Sequence, residues 1–182
     1  MMRKNILLTG RPGIGKTTAV KKIVEMLREK GIRVGGMITR EKREKNVRIG
    51  FIIEDIDTGT KGYLALKNLG KSPRIGKYSV LLENLEKIGV TAIKKAIQQA
   101  DVIIVDEIGP MEMLSNIFKK TIMEVLDTPK PVVATIHYKA PFYAFTKKIL
   151  KRSDIELFTL NFDNRNKIPL IVRNNVLRYL NY

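Results

Sequence analysis

The sequence predicts an α/β fold: a mostly parallel sheet flanked by helices, with an antiparallel β-hairpin extension. Three observations predict it. Short apolar runs within "RKNILLT", "DVIIVDE" and "PVVATIH" alternate with amphipathic stretches of helical period, the mark of strand–helix–strand units. Those runs are continuous, as in strands buried on both faces of a parallel sheet. Between residues 32 and 82, by contrast, β-rich segments follow one another across polar turns.

Taken in order, residues 3–9 read as a short buried strand bounded by Gly10. From Thr17, "TTAVKKIVEMLREK" sets Val20, Ile23, Val24 and Leu27 on one helical face, and Gly31 is the natural stop. "IRVGGMITRE" and "VRIGFIIEDID" flank the loop "KREKN" as a hairpin; "DTGTKGYLAL" and "GKYSVLL" add two further strands. "TAIKKAIQQA" is helical, "DVIIVDE" a buried strand, and Ser115 caps the helix "NIFKKTIMEVLD". The strand "PVVATIH", a helix around 141–151, the strand "IELFTL" and a helix through "LIVRNNVLRYL" complete the pattern. No repeat, low-complexity linker or composition break divides residues 1–182, so one domain is expected.

Composition excludes several classes of function. Hydrophobic residues make up 44% and charged residues 29% of the 182, a globular profile. No apolar run approaches the roughly 20 residues of a membrane span. "MMRKNILLTG" holds too few apolar residues for a secretory leader, so a cytoplasmic protein without a membrane partner is expected. Cysteine is absent and histidine occurs once, at His137, which excludes disulfides, thiolate metal sites and histidine-rich zinc centres. Lys and Arg (34) outnumber Asp and Glu (18), a net charge of +16. Polyanions, nucleotides and nucleic acid among them, are therefore candidate partners. The acid-free stretch "KAPFYAFTKKILKR" (139–152) fits a solvated helix face or a nucleic-acid groove. Oligomeric state stays open.

The first bend carries the chemistry. Gly10-Arg11-Pro12-Gly13-Ile14-Gly15-Lys16-Thr17 matches G-x-x-x-x-G-K-[ST], the P-loop, between an apolar strand and an amphipathic helix. Glycines at 10 and 15 let the backbone wrap closely around a phosphate, and the helix N-terminus adds partial positive charge. Gly10 through Thr17, with Thr18, are the candidate phosphate-binding residues. Lys16 reaches the β- and γ-phosphates, and the Thr17 hydroxyl is a candidate Mg²⁺ ligand.

A bound Mg²⁺ needs a carboxylate at a nearby strand end. Val102 to Val105 deliver Asp106 to the C-terminal edge of their strand, where open α/β sheets bind ligands. Asp106 is thus the second candidate metal residue, and Glu107 the candidate base for a water attacking the γ-phosphorus. Glu112 belongs to the same site or begins a helix. Thr135 and His137, at the end of "PVVATIH", are candidates to sense the γ-phosphate. Arg11, Arg40, Arg48, Arg152 and Arg165 are candidates for a further cation at the transition state.

Beyond these motifs the sequence resembles the small thermophile-type nucleoside-triphosphatases, called cancer-related nucleoside-triphosphatases in animals. The resemblance runs through "GGMITREKREKNVRIGF" (Gly36, Thr39, Glu41, Arg43, Arg48, Gly50, Phe51), "TGTKGYLA", "GKYSV", "VDEIGPME" and "NRN" at Asn164–Asn166, from residue 6 to residue 170. It implies a RecA-like P-loop NTPase that hydrolyses ATP, GTP, CTP and UTP slowly, with Mg²⁺ and little base preference. It also implies that the binding loop is Gly10–Thr17, the metal-holding acid Asp106 and the water-activating acid Glu107. Pro110 departs from the family, where a basic residue is common.

Two other functions compete with hydrolysis. A P-loop kinase needs an arginine-rich lid, for which "KKILKRSD" or "TREKREKN" could serve. A nucleic-acid-stimulated ATPase rests on the +16 charge. A GTPase switch is discounted despite "DEIG", because no N-K-x-D or T-K-x-D guanine reader occurs.

Overall fold

The computed structural model describes residues 3–71 and 73–182; the two methionines that open the basic N-terminal stretch lie outside them. The elements run β1 (Asn5–Thr9), α1 (Lys16–Arg28), β2 (Val34–Glu44), β3 (Val47–Asp55), β4 (Lys61–Lys67), β5 (Arg74–Ile75) and β6 (Tyr78–Val80). A helical stretch follows: α2 (Leu82–Asn84), a π-helical segment (Leu85–Val90) and α3 (Thr91–Gln99). Next come β7 (Val102–Ile108), a 3₁₀ turn (Glu112–Leu114), α4 (Asn116–Asp127), β8 (Val132–Ile136) and a second 3₁₀ turn (Ala140–Phe142). The chain closes with α5 (Ala144–Leu150), β9 (Ile155–Thr159) and α6 (Ile168–Tyr179).

Among the described residues the strands form one sheet in the order β5-β6-β4-β3-β2-β7-β8-β1-β9. From β2 to β9 every pairing is parallel, and from β2 to β5 every pairing is antiparallel. The sheet is therefore evenly mixed rather than mostly parallel. The antiparallel part is more than a hairpin because β4, β6 and β5 keep adding to the β3 edge.

Side-chain alternation along the parallel strands sorts the core into two clusters. Leu7, Ile103, Val105 and Ala134 meet Ile93 of α3 and Phe118 and Ile122 of α4. Ile6, Leu8, Ile104 and Val133 meet Val20, Ile23 and Leu27 of α1 and Val172 and Val176 of α6. Helices thus cover both faces of β1, β7 and β8, which is why those strands read as unbroken apolar runs. At β2 the backbones approach so closely that Gly36 (φ 122°) has no room for a side chain. A Cβ there would lie 2.0 Å from the Ile104 carbonyl oxygen.

Two expected elements take a different form. The helix around 141–151 is a 3₁₀ turn and a separate α5, because Tyr143 between them is extended (φ −103°, ψ 132°). The helical stretch begins at residue 82, not 91, because Gly89 packs instead of breaking the chain. A Cβ on Gly89 would meet Ile53 Cδ1 at 2.5 Å and Met37 Sδ at 2.9 Å. Ser115 does cap α4, accepting the Phe118 amide proton at 3.0 Å.

Candidate active site

β1 hands the chain to the glycine-rich bend at the sheet's C-terminal edge. Gly10 is buried, and a Cβ there would sit 2.9 Å from the Leu160 carbonyl oxygen. Gly15, at φ 108°, turns the backbone into α1. Arg11, Pro12 and Gly13 are exposed along the top, while Ile14 anchors the bend in the α1-side core. Lys16 and Thr17 are half-buried in the first helical turn, and Thr18 faces outward. The Lys16 Nζ donates to the Gly10 carbonyl at 3.1 Å, so the ammonium lies back across the bend.

Asp106 comes to the same edge from β7. Strand β8 stands between β1 and β7, so the acid arrives from the next strand but one rather than from a direct neighbour. Alternation on β7 and β8 puts Asp106 and Thr135 on the α1 face, toward Thr17. Asp106 is wholly buried; its Oδ1 accepts the Thr135 hydroxyl at 2.5 Å. Its Oδ2 has no partner, alone among buried side-chain N and O atoms of the described residues. Burial drives its carboxyl well above the usual range, while Thr135, Thr17 and Lys16 pull toward the charged form. A buried anion of this kind calls for a cation or a proton.

Glu107 follows at a β-bulge. Val105 pairs with Ala134 but Ile108 with Ile136, so β7 carries one residue more than β8 across this step. Such a bulge re-aims a side chain. Glu107 then meets Glu112 over Gly109: a Cβ on Gly109 would lie 3.0 Å from an oxygen of each. Burial raises the Glu107 carboxyl, Lys16 opposes the rise and Asp106 adds to it. Glu112, buried in its 3₁₀ turn, is pushed up to about 8 by desolvation and by the negative charge of Glu107. It carries a proton at neutral pH and belongs to this site.

The remaining candidates separate cleanly. Thr135 is a support for Asp106, a role the sequence signalled only as a lone hydroxyl in an apolar strand. His137 is half-buried, its Nδ1 accepting the Lys139 amide at 3.3 Å; burial and nearby Lys16 hold its pKa low, so the ring is neutral. Arg40 pairs with Glu54, Arg48 with Glu41, and Arg152 with Asp127 and Asp154. Arg152 also lies at the opposite end of β1, beside the Asn5 and Asp154 pair. Arg11 lies in the bend itself, and Arg165 lies 5.0 Å over the ring of Phe162, which lines a cleft with Gly10 and Arg11.

Fold and site together define a class: an α/β protein in which a P-loop sequence, a buried aspartate and two further acids share one edge of a mixed sheet. The family profile described as NTPase matches residues 5–173. The chain is 48% identical over 169 residues to the nucleoside-triphosphatase THEP1 of Thermofilum pendens, covering 93% of both chains. It is 42% identical over 172 residues to that of Methanocaldococcus jannaschii, covering 94% of this chain and 96% of the relative. Among solved structures it is similar to THEP1 from Aquifex aeolicus (TM-score 0.82, 34% identity, 92% of this chain and 96% of that one). The human cancer-related nucleoside triphosphatase is equally close in fold (TM-score 0.82, 32% identity, 96% and 98%). The chain belongs to this NTPase family and is an enzyme of the nucleoside-triphosphatase class.

Proposed function

We propose that the protein hydrolyses ATP, GTP, CTP and UTP to the diphosphate and phosphate, in a RecA-like P-loop site with Mg²⁺ and low base selectivity. The carrying observation is the unpartnered, wholly buried Asp106 Oδ2 on the face where Thr17 and Lys16 stand. No cluster of three His, Cys, Asp or Glu side chains forms a metal cage among the described residues. One carboxylate and one hydroxyl suit Mg²⁺, which keeps several waters and takes its other ligands from substrate phosphates. Asp106 and Thr17 would hold the ion; when bound, it supplies charge neutralisation between the β- and γ-phosphates.

In this reading the amides of Gly10 to Thr18 cradle the phosphates, and Lys16 leaves the Gly10 carbonyl to neutralise the γ-phosphate. Glu107 orients a water and takes its proton as the oxygen attacks phosphorus and the diphosphate leaves. Glu112, protonated, keeps a second negative charge away from the incoming phosphate. The lid that a kinase requires finds no support: "TREKREKN" lies in β2 and its hairpin, and Arg152 of "KKILKRSD" is held by two aspartates. No described helix is long and apolar enough to cross a membrane, and a cysteine-free enzyme suits the reducing cytoplasm.

Phosphate release from the four triphosphates, with and without Mg²⁺, tests the proposal. Turnover of all four, lost without the ion and in Lys16→Ala, is expected. Hydrolysis that persists in Lys16→Ala overturns it.

A further inference from the structure

Positive charge is not spread evenly over the molecule. Residues 40–48 and 67–78 hold nine Lys and Arg against two Glu, which accounts for seven of the sixteen excess charges. The fold brings these two segments together in the antiparallel half of the sheet. β2 pairs with β7 only as far as Ile38, opposite Asp106, yet it runs on to Glu44, still paired with β3. β4 joins β3 no nearer the hairpin tip than Gly50. Beyond that point β2 and β3 form a bare two-stranded ribbon.

Beside this ribbon four cations gather round one carboxylate. Tyr78 of β6 is buried, its ring packed edge-on to Phe51 of β3 at 5.2 Å. Arg48 lies 5.7 Å, Lys67 5.8 Å and Lys77 6.0 Å from the centre of the Tyr78 ring. Arg48 is held by the Tyr78 hydroxyl at 2.9 Å and by Glu41 at 2.6 Å, and Arg43 draws on the same glutamate. Those two bonds use Nε and Nη1 of Arg48, leaving both N–H groups of Nη2 for a ligand. Among the described residues Lys67 and Lys77 have no acidic partner.

We propose that this surface binds double-stranded DNA, with the ribbon in the major groove and the four cations on backbone phosphates. A major groove about 12 Å wide admits a two-stranded β-ribbon. Crowded cations that share one acid are relieved by a row of phosphates, and binding releases the counterions of the duplex. Other polyanions fit less well. Single strands are gripped by stacking on open rings, whereas Tyr78 is buried and Phe51 half-buried. Duplex RNA has a deep, narrow major groove that does not admit a ribbon. An acidic protein would need an apolar centre to its interface, which the same covered rings do not supply. Phosphate contacts carry no sequence information, so binding is independent of base sequence.

Binding of a short labelled duplex DNA, read by fluorescence anisotropy between about 50 and 200 mM salt, tests the proposal. The parent should bind duplexes of unrelated sequence with a Kd of roughly 1–100 μM at physiological salt. Each phosphate contact adds about 0.9 to the steepness of log K against log salt, so Lys67→Gln/Lys77→Gln should flatten that slope by about 1.8. Lys147→Gln/Lys148→Gln removes the same charge from exposed positions of α5 and should leave the slope unchanged. All three proteins should release phosphate from ATP at one rate. No binding by the parent overturns the proposal. Equal flattening in both double variants also overturns it, because binding would then follow net charge alone. So does single-stranded DNA, duplex RNA or polyglutamate bound as tightly as duplex DNA. A loss of phosphate release confined to Lys67→Gln/Lys77→Gln overturns it too, since it places these lysines on the triphosphate.

Discussion

In the antiparallel half of the sheet Glu41 and Glu54 are half-exposed and paired. Glu41 bonds to Arg43 and Arg48, and Glu54 faces Arg40 and Lys61. Burial alone would raise the Glu41 carboxyl, but its bonds to Arg48 and Arg43 outweigh that and hold it below its ordinary value. In the parallel half Asp106, Glu107 and Glu112 are more deeply buried, and all three are shifted upward because burial wins. The same residue types serve opposite ends. Paired acids at the rim stiffen a ribbon; unpaired acids at the parallel edge store a charge imbalance that a ligand can relieve.

Replacing one acid from each half is the strongest way to break this contrast. Glu107→Gln keeps shape and removes the proposed base, so turnover should fall at least about a hundredfold while nucleotide binding survives. Glu41→Gln should leave turnover within about twofold, as expected of a half-exposed ion pair. Steady-state kinetics beside nucleotide titration separate the two. Equal losses in both variants would erase the distinction between the halves.

The strand common to both halves supplies the next largest effect. A methyl group at Gly36 would press on the Ile104 backbone at a position of left-handed φ. Gly36→Ala should destabilise the fold by about 3 kcal/mol, from overpacking and backbone strain together. That corresponds to a Tm lower by roughly 6–12 °C for a domain of this size. Thermal unfolding measures it, and the surviving folded fraction should hydrolyse at the parent rate.

What could be read ahead of the structure follows the range of the interactions involved. The bend at 10–17 was legible because strand, loop and helix are contiguous and each glycine has a local conformational cause. Asp106 and Glu107 were legible because an apolar run ends in them. The insertion of β8 between β1 and β7 was not, since parallel pairing joins segments far apart in sequence. Glu112 was left ambiguous, because only the fold-back of its 3₁₀ turn brings it over Gly109. Residues 82–90 were missed for a related reason: Gly89 looks like a breaker until Ile53 and Met37 are seen to need its space. The block around Arg48 carried much of the family resemblance, and its charged residues Glu41, Arg43 and Arg48 pair with each other.

Glu112 sharpens the comparison through pH. Its carboxyl rises from 4.5 in the unfolded chain to about 8 in the folded one, so the folded state holds the proton more tightly. The stabilisation is therefore fully present below about pH 4.5 and is lost as pH climbs toward 8. Glu112→Gln stays neutral throughout. Its stability relative to the parent should grow by on the order of a few kcal/mol between pH 5 and pH 9. Urea unfolding at the two pH values reads this difference, which includes the coupling of Glu112 to Glu107 and Asp106. A pH-independent difference would mean that Glu112 is already ionised when folded.

The smallest effect is expected at Arg48, where the antiparallel half concentrates its contacts. The guanidinium donates to the Tyr78 hydroxyl at 2.9 Å and to Glu41 at 2.6 Å, and lies 5.3 Å over the Phe51 ring. Its side chain is nonetheless 39% exposed, so water competes for each of these contacts. An exposed ion pair contributes about 0.2–1 kcal/mol, and a cation over a ring in water about 0.5–1 kcal/mol. Arg48→Ala should therefore cost about 1 kcal/mol, a Tm lower by roughly 2–4 °C. High salt should shrink the difference, because screening weakens the Glu41 pair and leaves the Phe51 and Tyr78 packing. If Arg48→Ala instead cut turnover as deeply as Glu107→Gln, the ribbon would have to reach the phosphates during the reaction. Its resemblance to the family would then record chemistry rather than architecture.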